Sequence, residues 1–250
     1  LIERLSATRV LLEVEAPQFS EDPSAFRKTF HRFFRLMDNL ELVRTAGRED
    51  APFHPVTMDL AGLCRQLVEE AASLFAPQGV TLDYRCNLPS LLISGDPRLL
   101  QRLLLELISN SVGAMKGKGS ITLTLQAQGN RALLILTDSG APLTDRKLNA
   151  MLQQDTDLRL PPPEAGAGLG LTIAREIVSL PRGTLLIPSG TASPTLVLAL
   201  PTALSDSRVP AKTPPLQRDG GLSPMLIALS DVLPAELFRI HRFASQIIPP

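Results

Sequence analysis

The chain has 250 residues, of which 44% are hydrophobic, and this is enough to bury a substantial core in one or two domains. Its 25 lysines and arginines balance its 25 aspartates and glutamates, so we expect no nucleic-acid partner and no acidic tail. No run approaches the roughly 20 apolar residues of a membrane span. The start, LIERLSATRV, lacks both an initiator Met and the order of a signal peptide, so we expect a soluble piece of a longer protein. Cys64 and Cys86 lack metal-like spacing and are expected to be reduced thiols, although a disulfide between them stays open.

Residues 1–50 predict a helical hairpin. In its second half the apolar residues follow steps of four and three, the spacing of a helix seam: Phe26, Phe30, Phe33, Met37 and Leu40. Leu1, Leu5 and Leu12 begin a similar pattern, and EAPQFSEDPS separates the two helices, with Asp22 or Ser24 as the cap of the second. We expect the hairpin to pair with a second copy in a four-helix bundle; packing on its own globular domain is the alternative.

An α/β domain is predicted over residues 53–202, after a boundary marked by Gly47, Pro52 and Pro55. A helix (LAGLCRQLVEEAASLFAPQG) and a strand (VTLDYRC) come first. A second helix follows, with Asp96 as its cap and Pro97 in its first position. Its predicted core residues are Leu100, Leu103, Leu104, Leu107 and Ile108.

The second half of this domain predicts a hairpin of strands joined by GN, a helix led by glycines, and two more strands, GTLLIPSG and PTLVLALP. Helices on one face of a mostly antiparallel sheet make a two-layer α/β sandwich. Residues 203–223 are linker-like, and residues 224–250 form a short tail with a strand-then-helix pattern.

The stretch AGAGLGLTIAREIV places Gly166, Gly168 and Gly170 at the start of a helix. Free N–H groups and a partial positive charge at a helix N-terminus attract anions, and glycine lets a phosphate approach closely. The stretch has no lysine-serine pair of a Walker A loop, and it follows a loop rather than the strand of a dinucleotide fold. It therefore predicts an anion cradle, with a flexible linker as the alternative.

Three polar residues accompany these glycines. Asp138 closes the run ALLILTD; an ionised carboxylate only accepts hydrogen bonds, which suits an exocyclic amino group such as that of adenine, although a simple turn with Gly140 is the alternative. Glu106 and Asn110 are four apart and share a helix face. The amide oxygen of Asn110 suits Mg²⁺, and Glu106 suits a proton acceptor; a solvated stripe is the alternative for both.

The order ELISNSVGAM, LTDSG, GAGLGLTIAREIV and RGTLLIPSGTASPTLVLALP resembles the N, G1 and G2 boxes of the ATP-binding domain shared by sensor histidine kinases, gyrase and MutL. This resemblance covers residues 53–202 and implies a Bergerat-type fold that binds Mg-ATP beneath a mobile lid. It implies that Asn110 holds Mg²⁺ and phosphates, with Glu106 as the acidic catalytic residue near them. It also implies an adenine site and a phosphate site built from Asp138, Gly140, Thr195, Gly166, Gly168, Leu169 and Gly170.

FRKTFHRFFRLMDNLELVRTAG is similar to the second helix of the histidine-kinase dimerisation domain. In that family the first helix carries the phosphoacceptor histidine, but His31, His54 and His241 all lack the pattern that follows it, so an acceptor is expected upstream of Leu1. Other departures from the family are Pro142 in place of a second glycine, Gly113 where Lys or Asp is common, and a lid without a phenylalanine box.

The resemblance thus implies the cytoplasmic catalytic core of a homodimeric sensor histidine kinase that phosphorylates a histidine and then a response regulator. A second hypothesis is an inactive pseudokinase that scaffolds a partner. A third, an ATP hydrolase of the gyrase or MutL kind, requires a transducer domain after Thr202.

Overall fold

The computed structural model describes residues 22–45, 53–141, 170–188, 191, 193–203, 213–216 and 223–238. The first helix of the predicted hairpin lies outside these residues. The second is helix α1, Pro23–Thr45. Its cap is Asp22, whose carboxylate accepts the backbone N–H groups of Ser24 at 3.0 Å and Ala25 at 3.1 Å.

A five-stranded sheet forms one layer of the domain, in the order β2-β4-β5-β7-β6. Strands β2 and β4 are parallel and the other pairs are antiparallel, which confirms a mostly antiparallel sheet. Gly129, with φ of +58°, and Asn130 make the tight turn between β4 and β5. The strand bounds are Val80–Cys86 (β2), Gly119–Gln128 (β4), Arg131–Asp138 (β5), Thr184–Leu186 (β6) and Thr195–Pro201 (β7).

Three helices form the second layer: α2 (Leu60–Phe75), α3 (Pro97–Ala114) and α4 (Gly170–Ser179). The Asp96 carboxylate accepts the backbone N–H of Arg98 at 2.9 Å, and Pro97 begins α3, as predicted. All five predicted core residues of α3 are buried, and they join alternate residues of the strands in one core. The two-layer α/β sandwich is therefore confirmed.

A second, two-stranded sheet was not predicted. It pairs β1 (Val56–Asp59) with β3 (Leu92–Gly95) in antiparallel register. Each strand is only four residues long, too short for alternation to be recognised. Asp59 then caps α2 by accepting the N–H groups of Ala61 and Gly62.

The C-terminal residues pack on the domain. The strand expected in PMLIAL is instead a short helix, α5 (Pro224–Ala228), with Ser223 as its cap and Pro224 in its first position. A single 3-10 turn follows at Ala235–Phe238. Met225, Leu229, Leu233 and Phe238 are buried in the main core. In the predicted linker, the Thr213 hydroxyl donates to the Asp59 carboxylate at 3.2 Å.

Among the described residues, no helix combines the length and apolar character needed to cross a membrane. Cys64 and Cys86 are both free thiols, and burial raises the pKa of the Cys64 thiol. Cys64 is fully buried, so its thiol contributes to packing rather than to chemistry.

Candidate active site

Asp138 ends β5 on the face of the sheet that the helices cover, where it is 6% exposed and stands across from Ile121. Its Oδ1 accepts the backbone N–H of Gly140 at 2.8 Å. A Cβ on Gly140 would lie 2.7 Å from that oxygen, so the close turn favours glycine. The turn with Gly140 that was an alternative to a binding role is present. It fixes the orientation of a carboxylate that has acceptor sites left over.

Three elements meet beside this aspartate. The Ser139 N–H donates to the carbonyl of Ser120 at 3.0 Å, and the Ser120 N–H donates back to the Ser139 hydroxyl at 2.9 Å. Gly119 has φ of +137°, and a Cβ there would lie 2.7 Å from the sulfur of Met115 at the end of α3. Sequence reasoning missed these supporting residues; the only signal was the glycine pair in KGKG after the helix.

Asn110 is exposed on α3, five residues before Met115, which corresponds to about 7.5 Å along the helix axis. Its amide therefore lies open to solvent on the helix that reaches the Asp138 turn. Among the described residues, no group of three or more acidic, His or Cys side chains could hold a metal by itself. A Mg²⁺ with most of its ligands from phosphate and water, plus one amide oxygen, fits this donor set.

Glu106 lies one turn before Asn110 but is fully buried. Its Oε2 accepts a hydrogen bond from Nη2 of Arg35 at 2.6 Å, and its Oε1 accepts one from Nε of the same guanidinium at 3.2 Å. The alternative prediction, that Glu106 belongs to a solvated stripe, is therefore wrong. In this structure its carboxylate is also not accessible to a ligand. Burial lowers the pKa of Arg35, but the charge and hydrogen bonds of Glu106, helped by Asp231, raise it overall.

Thr195 is not brought to Asp138. The register pairs Thr195 with Thr137, one residue before Asp138, and adjacent residues of a strand point to opposite faces. Pro194 stands across from Asp138 instead and accepts its backbone N–H at 3.2 Å. The Thr195 hydroxyl donates to the carbonyl of Ser193 at 3.0 Å. Thr195 therefore lies on the face opposite to Asp138, and its place near adenine stays a prediction.

Helix α4 begins at Gly170, in agreement with a helix that follows the glycines. Gly166, Gly168 and Leu169 lie outside the described residues, as do Pro142 and the predicted lid. The anion cradle at this helix start stays a prediction.

The histidines differ in their surroundings. His31 is 3% exposed, its Nδ1 lies 2.9 Å from the carbonyl oxygen of Arg27, and its ring packs edge-on against Phe238. This burial leaves no access for phosphoryl transfer to its ring. His54 is exposed in the segment before β1, and His241 lies outside the described residues.

Residues 95–203 match the family model described as histidine kinase-, DNA gyrase B-, and HSP90-like ATPase. Sporulation kinase B of Bacillus subtilis is 29% identical over 148 residues, which are 58% of this chain and 33% of that protein. The adaptive-response sensory kinase SasA of Synechocystis sp. is 23% identical over 163 residues, 62% of this chain and 42% of that protein. The chain thus spans less than half the length of these two relatives.

Solved structures agree on the fold. The histidine kinase AdeS of Acinetobacter baumannii superposes with a TM-score of 0.58 at 14% identity, over 79% of this chain and 93% of that one. Full-length ShkA in complex with AMPPNP gives a TM-score of 0.56 at 23% identity, over 73% of this chain and 38% of that one. At these identities the likeness concerns the fold alone.

Proposed function

From the premise that residues 95–203 form a histidine kinase-, DNA gyrase B- and HSP90-like ATPase domain, we propose that the chain binds Mg-ATP as the catalytic core of a two-component sensor histidine kinase. The observation that carries this proposal is the buried Asp138 carboxylate, held at the rim of the sheet by the Gly140 N–H. A charged acceptor in a closely fitted turn suits the amino group of adenine.

The other binding roles extend from this point. Gly140 lets the base lie against the turn, and Asn110 offers an exposed amide oxygen to Mg²⁺. The start of α4 at Gly170, preceded by Gly166, Gly168 and Leu169, holds the phosphates through backbone N–H groups. When bound, Mg²⁺ neutralises charge on the phosphate oxygens.

The proposed reaction moves the γ-phosphoryl group from ATP to a histidine. The bond from the γ-phosphorus to its bridging oxygen breaks, that oxygen leaves with ADP, and a new bond forms to an imidazole nitrogen. Glu106 is the proposed acceptor of the imidazole proton, a role that requires its release from Arg35. We propose further that the phosphoryl group passes to a response regulator in the cytoplasm, where ATP is found.

A homodimer through α1 is also proposed. Helix α1 packs on its own domain with one face, which includes the buried Phe34, Arg35 and Asn39. Two residues of the predicted apolar stripe lie on another face, where Phe33 is 51% and Met37 is 37% exposed, whereas Phe30 packs toward the domain. Helix α1 can therefore pack on its own domain and also pair with a second copy, because Phe33 and Met37 stay exposed.

The test is calorimetric titration with a non-hydrolysable ATP analogue, with and without Mg²⁺. Asp138→Asn keeps an oxygen for the Gly140 N–H but loses the charge, so affinity should fall by about tenfold or more with little change in thermal stability. Asp83→Asn is the control, because Asp83 is exposed on β2 and should bind like the parent. Equal binding by both variants would remove Asp138 from the site.

One observation favours a second candidate, the inactive scaffold. Both oxygens of Glu106 are engaged by Arg35, so neither is open to a substrate in this arrangement. The scaffold predicts nucleotide binding, or none, without phosphoryl transfer under any condition. Transfer to a supplied dimerisation domain that contains the acceptor histidine would exclude it.

A further inference from the structure

A chain of ion pairs joins α1, α3 and the C-terminal segment, which we define as residues 223–238. Arg35 binds Glu106 through Nη2 and Nε, and its Nη1 binds Oδ2 of Asp231 at 2.6 Å. The other oxygen of Asp231 binds Nε of Arg32 at 2.7 Å. One carboxylate of the C-terminal segment therefore holds two arginines of α1, one of which holds Glu106.

Apolar contacts reinforce this arrangement. Phe34 of α1 and Ile227 of α5 form a small buried cluster, with Phe30 packed against it. The rings of His31 and Phe238 lie 4.9 Å apart, edge to face. The C-terminal segment also packs in the main core, where Leu229 and Leu233 are buried. It therefore clamps one face of α1 to the domain.

The ion pairs between α1 and its neighbours differ in burial: Arg35 with Glu106 is buried, and Arg32 with Asp231 lies near solvent. The Arg35 and Glu106 side chains are 10% and 1% exposed, whereas those of Asp231 and Arg32 are 24% and 48% exposed. Pairs near solvent are weakly stabilising, whereas breaking a deeply buried pair is costly. Asp231 lies nearer to solvent than Arg35 or Glu106, so changing it loosens the contact between α1 and the C-terminal segment at its rim and leaves the Arg35–Glu106 pair in place.

We propose that the C-terminal segment is an intramolecular latch that holds α1 on α3 and keeps Glu106 sequestered, so that ATP turnover requires α1 to lift off. This inference rests on the proposed function, because it gives Glu106 the role of proton acceptor. In the latched form, Glu106 is buried and both of its oxygens are engaged. The rate of ATP turnover is then proportional to the small fraction of molecules in which the latch is open.

The test uses Asp231→Asn in the full chain, with Asp83→Asn as the control, because Asp83 is exposed on β2 and pairs with Arg85 of its own strand. Hydrogen exchange of the α1 amides is measured for each protein, together with ATP turnover in the presence of a supplied dimerisation domain that contains the acceptor histidine. In Asp231→Asn, α1 exchange should be at least about fivefold faster because two charge-assisted bonds are lost. ATP turnover should rise by a similar factor, and the control should match the parent in both.

Two further variants separate the explanations. Ile227→Ala weakens the apolar part of the latch without changing any charge, and it should raise exchange and turnover in the same direction. Adding Glu106→Gln to Asp231→Asn should keep the fast exchange but abolish the gain in turnover. Unchanged α1 exchange in Asp231→Asn overturns the latch, and so does faster exchange with slower turnover.

The proposed function is judged separately, from titration of the same proteins with the ATP analogue. If the parent binds no nucleotide while α1 exchange still rises in Asp231→Asn, the proposed function fails and the latch stands as a contact between α1 and the domain. If nucleotide binds and exchange does not change, the latch fails alone.

Discussion

Glu106 and Asn110 lie four residues apart on α3, but only Asn110 is exposed. The difference comes from what covers the helix, since α1 and the C-terminal segment lie over Glu106. Two polar residues of one helix thus have different surroundings: Glu106 pairs with Arg35, whereas Asn110 is exposed, as its proposed role at Mg²⁺ requires.

Asn110→Asp should weaken Mg-ATP binding by about 1 kcal/mol or more, because the carboxylate repels the phosphates and the amide N–H donors are lost. Its exposure predicts a melting temperature close to that of the parent. Asn87→Asp is the control, because Asn87 is exposed and follows the end of β2. The opposite end of β2 is the one that pairs with Gly119, beside the Asp138 turn. Calorimetric affinity equal to that of the control would place Asn110 outside the site.

At the scale of elements, α1 uses two faces. One face carries the buried Arg35 and Asn39, with Asn39 accepting a bond from Arg102 of α3. The other face carries Phe33 and Met37 of the predicted stripe, which are exposed and stay open to the proposed second copy.

Phe33→Lys with Met37→Lys should convert the proposed dimer to a monomer, because charge is not buried in a helix seam. Both side chains are exposed in the described chain, so the fold itself should tolerate the change. Sedimentation gives the mass, and circular dichroism confirms that the helices remain. Ala25→Lys, exposed on α1 but off the stripe, serves as the control. A double variant that still sediments as a dimer would show that another surface joins the copies.

At the scale of the whole molecule, the C-terminal segment belongs to the core. Leu229 is fully buried, and Leu229→Ala should lower the free energy of unfolding by about 2 to 5 kcal/mol through lost burial and a cavity. Leu186→Ala, at a position 52% exposed, should cost less than about 1 kcal/mol. Urea denaturation measures both. A cost for Leu229→Ala as small as that of the control would mean that the segment contributes little to the fold.

Local patterns predicted most of this architecture. Helical spacing identified the five buried residues of α3, and the GN pair identified the turn between β4 and β5. The face on which Thr195 lies could not be predicted, because it depends on strand register and a shift of one residue reverses the face of a strand. The pairing of Glu106 with Arg35 spans 71 residues of chain, and no local pattern reports which distant cation covers a buried acid. For the same reason the packing of the C-terminal segment was not predicted.

The Gly140 N–H holds Asp138 in one orientation before any ligand arrives. The entropy of ordering this side chain is therefore lost on folding rather than on binding. A fixed acceptor also discriminates between purines, because it accepts a hydrogen bond from a 6-amino group. A 6-keto oxygen repels it, and the carboxylate is then desolvated without a hydrogen-bond partner. Sites built on such a bond reject an analogue that lacks the donor by about 10⁴-fold. If Asp138 binds the base as proposed, this turn accounts for a preference for adenine over guanine.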